Sequence, residues 1–323
     1  MEQKLYPLKF QPILKEKIWG GQKLSAILNK NSSLPNIGES WEISDVEGDT
    51  SIVSEGSLKG NSLKEILAEY KEELVGKKLF KRFGEKFPLL IKFIDAKEDL
   101  SIQLHPNDTL AAERHNSFGK TEMWYVMDAD KDSNLIVGFK DKVTSQDYIK
   151  HLENKTLMDI LNFDKVTKGD TYFIEVGRVH AIGAGVMLAE IQQTSDVTYR
   201  VYDWDRVDDQ GNARELHVDM VLDAIDFDMD NNFRAEYTKE KNISNNMISC
   251  PYFTTNYLEL DDEIAVNNDK DSFIIYICTE GQASIFNHDF EVIVEKGQTV
   301  LVPAGISDFT LKSKEAKLLE VYV

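Results

Sequence analysis

The segment Ser101-Ile102-Gln103-Leu104-His105-Pro106-Asn107-Asp108 sets an amide and an imidazole two residues apart, where a strand must stop. Side chains at i and i+2 of a strand leave the same face. Gln103 and His105 therefore stand together, Ile102 and Leu104 turn toward packed apolar surface, and Pro106-Asn107-Asp108 ends the run. Two such groups on a stiff strand end make half of a divalent-metal site. Glu122, in Gly119-Lys120-Thr121-Glu122-Met123-Trp124-Tyr125, and His180, in Gly177-Arg178-Val179-His180-Ala181-Ile182-Gly183, also sit where a turn meets a strand. Two histidines, a carboxylate and an amide oxygen suit zinc or another first-row divalent ion, and a set without thiolate reads as catalytic rather than structural. A single histidine in a β-protein is ordinarily a hydrogen-bonded structural residue; the recurrence at strand ends carries the assignment. His115, His151, His217 and His288 lie in polar or helical contexts and read as non-ligands.

A second group lies in Leu188-Ala189-Glu190-Ile191-Gln192-Gln193-Thr194-Ser195-Asp196, followed by Val197-Thr198-Tyr199-Arg200. Glu190 and Gln192 share a strand face, Thr194-Ser195-Asp196 forms a turn, and Arg200 is expected on the return strand. Glu190 and Arg200 are then either a cross-strand ion pair, worth little if exposed, or a proton shuttle and a phosphate clamp facing the metal. The planar guanidinium fork matches phosphate oxygens. Neither GxGxxG nor GxxxxGK[ST] occurs, so nucleotide binding has no motif to rest on.

The elements that must position these groups are mostly strands. Expected strands are 88–94, 123–127, 171–175, 186–193, 197–204, 273–278, 300–303 and 318–323; helical periodicity appears at 62–74, 145–161 and 215–225. Ser62 and Glu65 have capping-box spacing. The helices are too few for βαβ repetition, which leaves an antiparallel sandwich or barrel. Gly169-Asp170-Thr171 to Gly177 aligns with Gly297-Gln298-Thr299 to Gly305, each a turn, a strand and a turn. The repeat implies two related β-domains, the first with His180 and the second with Asp308 three residues past the last glycine. A boundary is expected in 228–245, within the polar run Asp228-Met229-Asp230-Asn231-Asn232.

With 323 residues, one large or two modest domains are expected. A net charge of −19 opposes contact with nucleic acid and anionic membranes, so an anionic substrate requires locally placed Lys and Arg. Cys250 and Cys278 lack CxxC spacing and read as inert thiols of a reducing compartment. Met1 to Phe10 has no signal-peptide core and no apolar run approaches a membrane span. A cytoplasmic protein, monomeric or weakly homodimeric, is expected.

Trp19-Gly20-Gly21, Gly38-Glu39-Ser40-Trp41-Glu42, Leu100 to Asp108, Gly119 to Tyr125, Gly177 to Gly183 and Gln192 to Arg206 together resemble the signature segments of type I mannose-6-phosphate isomerases in their short bacterial form. The resemblance implies an all-β-dominated chain of two cupin (jelly-roll) domains, with a few helices inserted in and following the first. Residues 1–235 would form the catalytic domain and 236–323 a cupin-like domain without metal ligands. It also implies one zinc ion per chain on Gln103, His105, Glu122 and His180, the four reached above. Members interconvert mannose 6-phosphate and fructose 6-phosphate. By motif position Lys120, Glu190, Asp196 and Arg200 would handle the substrate, with Ser101 and Arg206 as further phosphate contacts. Some longer members carry a His where this chain has Gly119, so a scheme using that His has no counterpart here. Passage through a cis-enediol(ate) needs a carboxylate base, for which Glu190 and Asp196 both qualify. Two rival readings are a metal-dependent bicupin oxygenase and a non-catalytic sugar-binding bicupin.

Overall fold

The computed structural model describes residues 4–207, 210–228 and 233–323, so Met229–Asn232 of the expected boundary lie outside the described residues. Two antiparallel sheets face each other in the N-terminal part. One has seven strands in the order Ile13–Gly21, Ile37–Ile43, Leu89–Ala96, Val186–Gln193, Glu122–Ala129, Thr171–Ile174 and Arg234–Ala235. The other has five, in the order Tyr199–Tyr202, Ile102–Leu104, His180–Ile182, Asn134–Phe139 and Leu161–Lys165. Between them lie Ile94, Trp124, Val126, Leu135, Val137, Ile182 and Leu188. The long sheet is also covered on its other face, where Ile91, Phe93, Met123, Tyr125, Ala189 and Ile191 meet helices and Phe273, Ile275, Leu319 and Val321 of the C-terminal sheet. Burial on both faces explains why Leu89–Ala96 and Val186–Gln193 read as near-continuous apolar runs instead of alternating. This is a cupin-type architecture, dominated by strands.

Helices within 23–83 cover that outer face, while Tyr148 and Val221 bring two later helices onto the outer face of the short sheet. Ser62 and Glu65 form the capping box: Ser62 Oγ accepts from the Glu65 amide at 3.2 Å, and Glu65 accepts from the Ser62 amide at 2.7 Å. The helix stops at Tyr70, short of the expected Leu74, because Lys71 takes a φ of 48°. The other two expected helices are shorter than expected: Ser145–Glu153 within 145–161, where Leu161 already begins a strand, and Val218–Ala224 within 215–225. Lys23–Leu28, Lys77–Phe83 and Asp108–His115 were not foreseen.

One expectation is overturned. Tyr199–Tyr202 is no return strand of Val186–Gln193; it pairs with Ile102–Leu104 in the opposite sheet. The segment 194–198 crosses between sheets, and Gln192 Nε2 donates to the Gln193 and Ser195 carbonyls at 2.8 and 2.7 Å to hold the crossing. A hairpin and a crossing have the same local turn chemistry.

The C-terminal sheet has eight strands, organised around the long strand Ile274–Phe286. The repeat seen in sequence recurs in geometry. Gly169 and Gly297 take φ of 93° and 81°, and the strands Thr171–Ile174 and Thr299–Val302 follow them. Downstream the two diverge, His180 being buried and Asp308 exposed.

Candidate metal centre and active site

Three neighbouring strands of the short sheet bring Arg200, Gln103 and His180 into one row, Arg200 opposite Gln103 and Gln103 opposite His180. Directly paired residues share a face, so all three leave the sheet on one side. Glu122 begins its strand on the long sheet, opposite Gln192. His105 follows the strand Ile102–Leu104 directly, and Ile102 and Leu104 pack into the apolar cluster behind it. The turn before His180 depends on Gly177, with φ of 82°, where a Cβ would stand 2.7 Å from the Ala224 carbonyl oxygen.

Donor atoms of His105, Glu122 and His180 all lie within 4.8 Å of one another, and all three residues are buried. His105 Nε2 is 3.5 Å from one Glu122 oxygen and His180 Nε2 is 3.6 Å from the other. Two atoms each about 2.1 Å from a tetrahedral ion stand roughly 3.4 Å apart, so these spacings match the edges of a zinc-sized polyhedron. His105 Nδ1 donates to the Val197 carbonyl at 2.9 Å and His180 Nδ1 to the Arg178 carbonyl at 2.8 Å. A carbonyl only accepts, so each imidazole carries its proton on Nδ1 and turns a lone pair on Nε2 inward. His105 Nε2 and both Glu122 oxygens are buried without a hydrogen-bond partner. Burial, then Lys120, pushes the His105 imidazole down to about 3. Burial also lowers His180. Burial would raise Glu122, but Lys120 and the two imidazoles together outweigh it and hold the carboxyl below its ordinary range. Two neutral imidazoles and one anionic carboxylate form the protonation state a divalent cation takes. Gln103 approaches His180 Nε2 through its amide nitrogen at 3.5 Å, while its oxygen accepts from Ser101 Oγ at 3.3 Å. Half a turn of the amide would offer the oxygen to a cation instead, and the Ser101 hydroxyl can then accept from the nitrogen.

Lys120 is buried with Nζ 3.4 Å from Glu122. One layer deeper, Trp41, Lys92, Glu190 and Trp124 make a row across four strands. Lys92 Nζ is 3.3 Å from Glu190 Oε1, and Trp124 Nε1 donates to Glu190 Oε2 at 2.9 Å. Burial and then Glu122 raise the Glu190 carboxyl, against Lys92 and Lys120. Lys92 is raised although burial opposes it, because it serves Glu190 and Glu39 together. Glu190 and Arg200 therefore do not pair; they stand on opposite sheets. Asp196 is exposed on the crossing, in the wall of a cavity of about 600 Å³ that also touches His115, Phe118 and Val197.

A family model described as phosphomannose isomerase type I, catalytic domain, matches residues 7–154, and one described as mannose-6-phosphate isomerase, cupin domain, matches residues 242–323. The mannose-6-phosphate isomerase ManA of Bacillus subtilis (strain 168) is 34% identical over 311 residues, covering 95% of this chain and 96% of that protein. The chain belongs to the type I phosphomannose isomerase family. A mannose-6-phosphate isomerase of Streptococcus mutans is 32% identical over 305 residues, 94% of each chain. The crystal structure of the mannose 6-phosphate isomerase from Bacillus subtilis superimposes with a TM-score of 0.88 at 32% identity, covering 98% of this chain and 99% of that one.

Within this family fold, the residues expected at a phosphate are already engaged. Ser101 Oγ is tied to Gln103. Arg206 donates to the Asp99 carbonyl at 2.6 Å and to Asp203 at 2.7 Å. Arg200 Nη1 donates to the Glu215 carbonyl at 2.8 Å, and its Nε is buried without a partner. Sequence reasoning missed Arg214, which grips Asp203 through Nε and Nη2 at 2.6 and 2.5 Å. It also missed Lys92. A lone lysine inside Leu89-Leu90-Ile91-Lys92-Phe93-Ile94 is a detectable signal, because an unpaired lysine is almost never fully buried.

Proposed function

We propose that the chain interconverts mannose 6-phosphate and fructose 6-phosphate through a cis-enediol(ate), with one zinc ion held by Gln103, His105, Glu122 and His180. The observation that carries this reading is the convergence of three buried donor residues beside Lys120, with Arg200 in the same row as Gln103 and His180. When bound, the divalent ion polarises the carbonyl and offsets charge that develops on oxygen. Arg200, joined by Lys120, anchors the phosphate, so binding energy remote from C1 and C2 orients them. Glu190 acts as the base that moves the proton between those carbons: its burial raises the carboxyl toward the working pH, as an acid–base group needs. Asp196, exposed at the rim, exchanges the ring-opening proton with water. Gly119 leaves no side chain for a histidine-based scheme.

We also infer that the chain divides into a catalytic part, 1–235, and a second part, 236–323. Arg234–Ala235 is the last strand of the first sheet and Asn245–Ser249 belongs to the next. Two unpaired cysteines support a cytoplasmic setting; no helix among the described residues is long and apolar enough to cross a membrane. The test is direct: purified protein plus mannose 6-phosphate yields fructose 6-phosphate, and chelation abolishes the conversion until zinc is returned. Absence of fructose 6-phosphate from zinc-loaded protein refutes the reading.

A further inference from the structure

We propose that Asp108, braced by Tyr252 from the C-terminal sheet, is the positioning residue that sets Lys120 and Glu122 against His105. The inference rests on the isomerase reading for its catalytic consequence, but its geometry stands alone. Asp108 opens the helix Asp108–His115, three residues after His105. Its Oδ1 accepts from the Gly119 amide at 2.8 Å and from Gln193 Nε2 at 3.0 Å. Gln193 in turn accepts from the Thr121 amide through Oε1 at 2.9 Å and donates its own amide to the Thr121 carbonyl at 3.1 Å. The amides on both sides of Lys120 are therefore held by one linked pair of side chains. The clamp joins three segments that bear site residues: His105, Lys120 with Glu122, and the strand end beyond Glu190.

Gly119 is part of the device. A Cβ there would stand 2.8 Å from the Asp108 amide nitrogen and 3.0 Å from its carboxylate. Any larger residue would force the two segments apart, which gives a local reason for glycine at this position. The other carboxylate oxygen, Oδ2, accepts from Tyr252 Oη at 3.0 Å. Tyr252 lies between the strands Asn245–Ser249 and Thr254–Leu260 of the C-terminal sheet. Its turn is pinned by Phe253, buried in the shared core, and by Arg82, which donates to the Pro251 carbonyl at 3.2 Å. The C-terminal sheet thus contributes a fixed post to the loop that presents Lys120. An alignment error of about 1 Å is enough to cost roughly 10²-fold in rate, and loss of an outer-shell partner typically costs about 10–100-fold.

The experiment uses metal-saturated full-length protein and four variants: D108A, D108N, Y252F and D108A/Y252F. Hydrogen exchange at the Gly119 and Thr121 amides is read alongside kcat and KM for mannose 6-phosphate. D108A speeds exchange at both amides and lowers kcat at least about tenfold, with KM within roughly twofold. D108N, whose amide can accept from Gly119 and Gln193 and donate to Tyr252, restores most of both. Y252F lowers kcat severalfold in the parent and has no further effect on D108A, as expected for two members of one unit. The proposal is overturned if D108A leaves exchange and kcat unchanged, if D108N is as impaired as D108A, or if Y252F acts equally in both backgrounds. Should the parent protein lack isomerase activity while the exchange pattern follows the prediction, the clamp stands and the isomerase reading falls. An active parent whose exchange ignores Asp108 removes the clamp and leaves the isomerase reading standing.

Discussion

Replacing Lys92 by methionine isolates the charge row beneath the candidate metal centre. Lys92 and Glu190 are each 3% exposed, with Nζ 3.3 Å from the carboxylate. Methionine fills similar volume, so the loss is electrostatic rather than a cavity. Glu39 keeps Lys17 at 3.2 Å and the Trp41 indole at 2.6 Å, whereas Glu190 keeps the Trp124 indole and the longer-range pull of Lys120. Removing one member of a buried pair costs about 3–5 kcal/mol, because the other charge stays buried uncompensated. At roughly 2–4 °C per kcal/mol for a chain of several hundred residues, Tm falls by about 6–20 °C. The sign of the pH dependence follows from linkage. Without Lys92 the folded-state Glu190 carboxyl lies still further above its unfolded value. The penalty is then fully present above the folded value, shrinks as pH falls through it, and is gone below the unfolded one. Calorimetry of parent and K92M should show a wide gap in Tm at pH 8 that narrows at pH 5. K92M/E190Q, with both charges gone and the indole still satisfied, should recover most of the stability while remaining inactive if Glu190 is the base. Equal Tm at pH 8, or a gap that widens on acidification, refutes the account.

Glu122→Ala and His180→Ala should each lose bound metal and activity together, by more than the roughly 10–100-fold typical of outer-shell changes; a variant that stays active with no metal by elemental analysis contradicts the ligand assignment. Arg200→Ala should raise KM for mannose 6-phosphate about 10–100-fold, the size of one lost charge-assisted hydrogen bond. If its preference for phosphorylated over unphosphorylated mannose matches the parent's, Arg200 is no phosphate anchor. Ser62→Ala removes a capping box far from the site and should cost about 1 kcal/mol, seen as a small drop in Tm with kcat unchanged.

The metal candidates were legible because strand alternation is a local rule: Gln103 and His105 share a face whatever surrounds them, and the same grammar marks Glu122 and His180 at strand starts. The paired turns at Gly169 and Gly297 could likewise be read, since both need a residue tolerant of positive φ. Arg200 was placed on the wrong sheet. Its preceding turn has the composition of a hairpin, and nothing local distinguishes a hairpin from a crossing. Lys92 went unnoticed because its partners, Glu39 and Glu190, are remote in sequence and meet it only across neighbouring strands.

From sequence alone came the strand-dominated class, the four candidate ligands, the capped helix at Ser62 and the likeness to an isomerase family. Each depends on chemistry confined to a few consecutive residues or on motifs kept in order. Tertiary structure alone decided that Glu190 faces Lys92 and not Arg200, and that Gly119 must be small to admit Asp108. It alone showed Tyr252 of the C-terminal sheet reaching Asp108, which in turn holds the Gly119 amide. Those contacts join residues from 11 to 144 positions apart. The energies that select them arise only when sheets close on one another and exclude water, a cooperative event no local window contains.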